Sequence, residues 1–146
     1  KQKNHFSREQ IKEHSILFIM IHNPDIVKLK AEELSELNFT SENNNNLKNK
    51  IINLALEKSN LENIKLTIED SFKSLVEIIE KNSILKNIIM DKDQGYKLEL
   101  LEGLIREIKE MNHLKKIEIL ENKIVKNLDE NSYSELIKLK SQLNRE

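Results

Sequence analysis

Apolar positions recur at helical spacing almost from end to end of this chain; what changes along it is the phase and the punctuation. Ser7 with Gln10 reads as a capping box, opening a helix that runs through Ile21. Its stretch Ile16–Ile21 (ILFIMI) is apolar all round, which predicts a helix at the centre of a bundle. Asn23-Pro24 ends it, and Pro24 fits the first turn of a short helix through about Lys30. Glu32–Asn38 reads as another short helix or turn. Thr40 or Ser41 caps the next helix, which carries Leu47, Ile51, Leu54, Ala55 and Lys58, with Asn43–Asn46 as a solvated first turn. A second capping box, Ser59 and Glu62, starts a helix with Leu61, Ile64 and Ile68 inward. Phe72, Leu75, Val76 and Ile79 define another. Ile84, Leu85, Ile88 and Ile89 form a short one before the polar turn Asp91–Gly95.

The stretch Tyr96–Leu128 reads as one long helix whose apolar stripe changes sides. At about 100° per residue, Leu101, Leu104, Ile105, Ile108 and Met111 share one face, while Ile117, Leu120, Ile124 and Leu128 lie nearly opposite. The switch falls around Asn112–Lys116. Such a helix spans roughly 50 Å, against roughly 32 Å for a compact domain of the preceding residues. Its second half is therefore expected to pair, outside the bundle, with a terminal helix opened by a third capping box, Ser132 and Glu135. Tyr133, Leu136, Ile137, Leu139 and Leu143 spread over a wide arc of that helix, with Lys140 in the middle. Pairing buries one side of the arc and leaves apolar surface for a partner. The predicted fold class is all-α: a multi-helix bundle (residues 7–111, after a frayed tail 1–6), then a long helix of about 96–128 leading into a C-terminal helical hairpin (112–146).

Composition agrees and narrows the chemistry. With 38% hydrophobic and 34% charged residues the chain suits a soluble globular protein rather than a disordered one. Two glycines and one proline favour helix over turn-rich β architecture. The absence of cysteine excludes disulfides and thiolate chemistry and fits a reducing cytoplasm. A net charge of −1 weakens any reading that rests on nucleic-acid phosphates. Ile16–Ile21 is far too short to span a membrane. The chain begins at Lys1 rather than Met, so it is expected to be part of a larger protein.

Candidate sites are few. His5, His14, His22 and His113 make no metal pair at helical spacing, and no phosphate loop or nucleophile elbow occurs. Asp91, Asp93 and Glu102 echo the first, third and twelfth positions of a calcium loop, but Tyr96 stands where the turn glycine is needed, so helix capping explains these carboxylates better. Lys115-Lys116 is balanced by Glu118 and Glu121 and makes no nucleic-acid patch. No catalytic constellation is present.

Ile16–Ile26 (ILFIMIHNPDI), an apolar helix closed by His-Asn-Pro-acid, resembles the opening helix of the C-terminal helicase-binding domain of bacterial replicative DNA primase. That family typically begins with a leucine-rich helix ending in His-Pro or Asn-His-Pro and then an acidic residue. Leu101–Leu143 (LEGLIREIKEMNHLKKIEILENKIVKNLDENSYSELIKLKSQL) is similar to the family's tail in its alphaproteobacterial form: a long helix with a basic-acidic middle, an acidic turn and a final helix. The resemblance covers the chain from about Ser7 to its end and rests on order and spacing, with His22-Asn23-Pro24-Asp25 its sharpest point. Asn43–Asn46 departs from it as a local insertion, and Lys and Ile stand for the usual Arg, Ala and Leu.

The resemblance implies a non-catalytic module in which bundle and hairpin dock on the N-terminal domains of the hexameric replicative helicase. The parent would be a nucleotidyltransferase with its catalytic domains upstream, so zinc and magnesium are expected only there and no cofactor here. Carried to these positions, it implies a helicase-facing hairpin built from Ile124, Leu128, Tyr133, Leu136, Ile137, Lys140 and Leu143. A cytoplasmic monomer with no direct nucleic-acid or membrane binding is expected. Two other classes remain open from the residues alone: a generic helical adaptor or coiled-coil dimerisation module, and a helix-turn-helix DNA binder, which the near-neutral charge disfavours.

Overall fold

In the computed structural model, residues 6–58, 60–82, 85–89, 91–127 and 130–145 are described, and every regular element among them is an α-helix. The order is α1 (Arg8–His22), α2 (Pro24–Leu29), α3 (Ala31–Glu36), α4 (Glu42–Leu56), α5 (Leu61–Asn82), α6 (Leu85–Ile89), α7 (Gln94–Asn127) and α8 (Glu130–Arg145). The chain divides into two compact units, Lys1–Ile108 and Lys109–Glu146, and α7 runs through the division.

The first unit is organised around α1. Ser7 Oγ accepts the Gln10 amide and Gln10 Oε1 accepts the Ser7 amide, each at 3.1 Å, so the capping box closes in both directions. Every side chain from Ile16 to Ile21 is at most 1% exposed, because α1 packs against α2, α4 and α5 and keeps no solvent face along this stretch. Burying each such side chain contributes about 2 kcal/mol. Asn23 Nδ2 closes the end of α1 on the Ile19 carbonyl at 2.8 Å, and Pro24 enters the first turn of α2, where its missing N–H costs nothing. At the same corner His22 Nε2 meets Glu80 Oε1 of α5 at 2.7 Å.

The link from α3 to α4 is where the structure departs most from a solvated loop. The asparagine run is only in part the solvated turn expected: Asn43 and Asn46 are exposed, but Asn44 is 1% exposed and donates to the buried Glu13 carboxylate of α1 at 2.8 Å. Glu13 also accepts the Thr40 amide at 2.7 Å and the Thr40 hydroxyl at 2.9 Å. Asn45 clamps Phe39 from both sides, accepting its amide at 3.0 Å and donating to its carbonyl at 2.9 Å. Lys48, 2% exposed, donates to the Leu34 and Leu37 carbonyls at 2.8 and 2.6 Å, so a cation caps the C-terminal end of α3. Burial holds the Lys48 ammonium below the usual lysine range. Ser41, not Thr40, is the N-cap of α4.

Other boundaries follow local chemistry. α4 ends on Lys58 at φ 62°, a left-handed position where its amide bonds the Ala55 carbonyl; Lys58 lies outside the helix. A lysine there is strained by roughly 1 kcal/mol relative to glycine. Lys58→Gly is expected to raise stability by about that much, read as a higher urea midpoint; an unchanged or lower midpoint would count against the cap. Asn60 caps α5 by accepting the Asn63 amide at 2.8 Å, in place of the expected Ser59, which lies outside the described residues. The two helices expected over Leu61–Ile79 are both present, meeting within α5 at a kink of non-helical backbone at Phe72 (φ −130°, ψ 36°). Phe72 packs half-buried against the core, and neither Pro nor Gly causes the kink. In α6 Leu85 and Ile89 are buried and Ile88 is exposed, while Ile84 lies outside the described residues. Asp93 Oδ1 accepts the Tyr96 amide at 2.9 Å and so caps α7 as expected, whereas Glu102 lies within α7 and faces Lys30 at 3.5 Å instead of capping. Leu101, Ile105 and Ile108 of α7 are buried in the first core.

The second unit comprises the end of α7 and α8. Ser132 does not cap α8: the helix begins at Glu130, and Ser132 sits in its first turn, 5% exposed.

Candidate partner-binding surface

The hairpin of the second unit has its own small core. Ile117 and Leu120 of α7 and Leu136 of α8 are buried together, with Ile124, Leu139 and Leu143 packed half-buried around them. On each helix these residues recur at spacings of three and four and hold one line. The seven residues that the resemblance singles out therefore split. Leu136, Ile124 and Leu143 hold the two helices together. Tyr133 and Ile137, 55% and 50% exposed, point away from that core, and Lys140 lies at the surface against Glu121 at 3.4 Å. Leu128 lies outside the described residues.

The exposed members share a side. At about 100° per residue, Tyr133 is roughly 90° and Ile137 roughly 130° from the buried line of α8, both in the same sense. Val125 of α7, 81% exposed, stands roughly 105° from the buried line of α7 in that same sense. For antiparallel helices, equal senses fall on the same side of the pair, and the Lys140–Glu121 bridge joins the helices there. Val125, Tyr133 and Ile137 thus form one apolar face. Val125 is missing from the sequence-derived set because its neighbour Ile124 carries the stripe; its own signal is an apolar residue just off that stripe. The Lys140–Glu121 pair is half-exposed on both sides and adds well under about 1 kcal/mol.

Opposite that face runs a groove of about 390 Å³ lined by Lys116, Ile119, Leu120, Glu135, Lys138, Leu139 and Gln142. Its floor is apolar, with Ile119 57% exposed.

Titratable groups elsewhere serve the fold. His14 is 8% exposed and meets the Phe6 ring edge-on at 4.8 Å. Burial lowers its pKa below the usual 6.5, against an opposing pull from Glu13. The native state then binds the proton less well than the unfolded chain, so stability is expected to fall as pH drops from about 6.5 through the folded pKa. His14→Gln should flatten that slope in urea midpoints taken between about pH 7 and pH 5; a wild-type midpoint flat across this range would refute the assignment. Burial pushes Glu80 up, but the His22 hydrogen bond and the charges of His22, Lys65 and Lys86 outweigh it and hold the carboxyl below its usual 4.5. Its contribution is present above about 4.5 and is lost as pH falls through the folded pKa, a separate and more acidic window.

Among the described residues, no group of three or more His, Cys, Asp or Glu could hold a metal ion, and no helix is long and apolar enough to cross a membrane. His5 lies outside the described residues. Comparison with known proteins finds no matching family model, curated protein or solved structure.

Proposed function

We propose that this chain is the non-catalytic helicase-binding module of a bacterial DNA primase, docking on the N-terminal domains of the hexameric replicative helicase to bring primer synthesis to the fork. The observation that carries this reading is the apolar face Val125, Tyr133 and Ile137, left exposed on a hairpin whose core, among the described residues, packs without it. The order of elements supports it too: an apolar central helix closed by His22-Asn23-Pro24-Asp25, a helical bundle, a long helix and a terminal hairpin. Aromatic and aliphatic anchors on two helices are what helix-based docking uses.

Titration of the hexameric replicative helicase of the same source with this chain is the test. Saturable binding in the micromolar range is expected, and a helicase that remains unbound overturns the reading. Dimers seen by light scattering, with no helicase binding, would favour a coiled-coil dimerisation module instead.

A further inference from the structure

The groove opposite the Tyr133 face has a charge pattern that the sequence conceals. Lys116 and Lys123 are seven residues apart on α7 and so occupy one edge of the helix, about one heptad from each other. Lys116 lines the α7 rim of the groove and Lys138 the α8 rim, above a floor of Ile119, Leu120 and Leu139. Glu135 is the single acidic residue among the lining side chains. The glutamates that seem to balance Lys115-Lys116 in sequence are directed elsewhere. Glu121 is held by Lys140 on the opposite face, and Glu118 falls on that side by helical spacing. Lys116, Lys123 and Lys138 have no ion-pair partner among the described residues.

We propose that this groove is a second docking site, separate from the Tyr133 face, and that it takes an amphipathic helix whose apolar stripe is flanked by acidic residues. An apolar floor between two parallel helical ridges accepts a third helix, whose own ridge fills the gap. The lysines on both rims then select acidic flanks, since like charges set opposite one another disfavour a basic helix. A nucleic-acid strand fits less well: two lining lysines and one glutamate, with Lys123 farther along the α7 edge, give few phosphate contacts, and a floor of Ile and Leu offers no ring for base stacking.

The test uses the full chain and two synthetic amphipathic peptides of about 18 residues, identical in apolar stripe, one flanked by Glu and one by Lys. Fluorescence anisotropy should show the Glu-flanked peptide binding roughly tenfold more tightly. The triple change Lys116→Glu, Lys123→Glu and Lys138→Glu should reverse that preference, with an unchanged helical circular-dichroism spectrum. Tyr133→Ser with Ile137→Ser should leave it intact, which keeps this site distinguishable from the helicase face. Equal binding of both peptides, a preference the triple change does not reverse, or displacement of the bound peptide by a single-stranded oligonucleotide would each overturn the proposal.

Discussion

Replacing Glu13 with Ala is expected to lower the stability of the first unit by about 3 kcal/mol. The carboxylate is fully buried and accepts three hydrogen bonds, two from Thr40 and one from Asn44, residues 27 and 31 positions away. Its removal leaves donors whose partner cannot be replaced equally. Thr40 lies at the surface and can turn to water, but Asn44 is 1% exposed and its amide would be stranded in the core. An unsatisfied buried group costs roughly 1–3 kcal/mol, and the lost charge-assisted bonds from Thr40 add to it. Glu13→Gln keeps one acceptor oxygen and should cost about half as much. Amide hydrogen exchange read on α1 and α4 measures the change directly and does not require the whole chain to unfold as one step. Loss of protection should be largest at the Thr40 amide. If Glu13→Ala shifts exchange in α1 and α4 by less than about 1 kcal/mol, the carboxylate does not hold the α3–α4 link and the clamps from Asn45 and Lys48 do so alone.

That network marks the limit of what the sequence could say about the fold. Elements with a cap at one end and a strict apolar phase, such as α1 with Ser7 and Gln10, are legible because both signals are local. A run of identical polar residues carries no phase. Which asparagine of Asn43–Asn46 turns inward is decided by Glu13, a partner thirty-one positions away from Asn44. Adjacent capping residues are equally opaque, since Ser59 and Asn60 cap almost equally well and only the registry of Ile64 and Ile68 in the core chooses Asn60. In α8 the capping-box pattern of Ser132 and Glu135 is overridden because α8 starts two residues earlier and Ser132 is buried in its first turn.

The candidate surface was half legible for a similar reason. Five apolar residues between Tyr133 and Leu143 identify α8 as a helix that buries something, but they cover too wide an arc to say which side faces α7. The choice is made by Ile117 and Leu120, which select Leu136, Leu139 and Leu143 and leave Tyr133 and Ile137 outside. Charge behaves likewise, because Glu121 offsets Lys116 along the chain while standing on the other side of the hairpin.

This division sets two substitutions apart that would otherwise look alike. If the chain docks on the helicase as proposed, Tyr133→Ser with Ile137→Ser is expected to weaken that binding about a hundredfold, corresponding to about 2.7 kcal/mol, without loss of helicity. Both side chains are half-exposed, so their removal takes nothing from the core of Ile117, Leu120 and Leu136 and makes α8 more polar only on its outer side. Leu136→Ser must act differently. It opens a cavity and places a hydroxyl among Ile117 and Leu120, the other residues buried in this core among those described, with Ile124, Leu139 and Leu143 half-buried around them, at a cost of about 3 kcal/mol or more, enough to loosen so small a core. Binding would then be lost together with circular-dichroism signal and with exchange protection in α8. Measuring affinity and helicity on the same samples separates docking from folding. Should the Tyr133 and Ile137 pair bind the helicase as well as the unchanged chain, the contact lies elsewhere on the molecule and the apolar face belongs to another partner. Should it lose helicity along with affinity, those side chains support the hairpin rather than the interface.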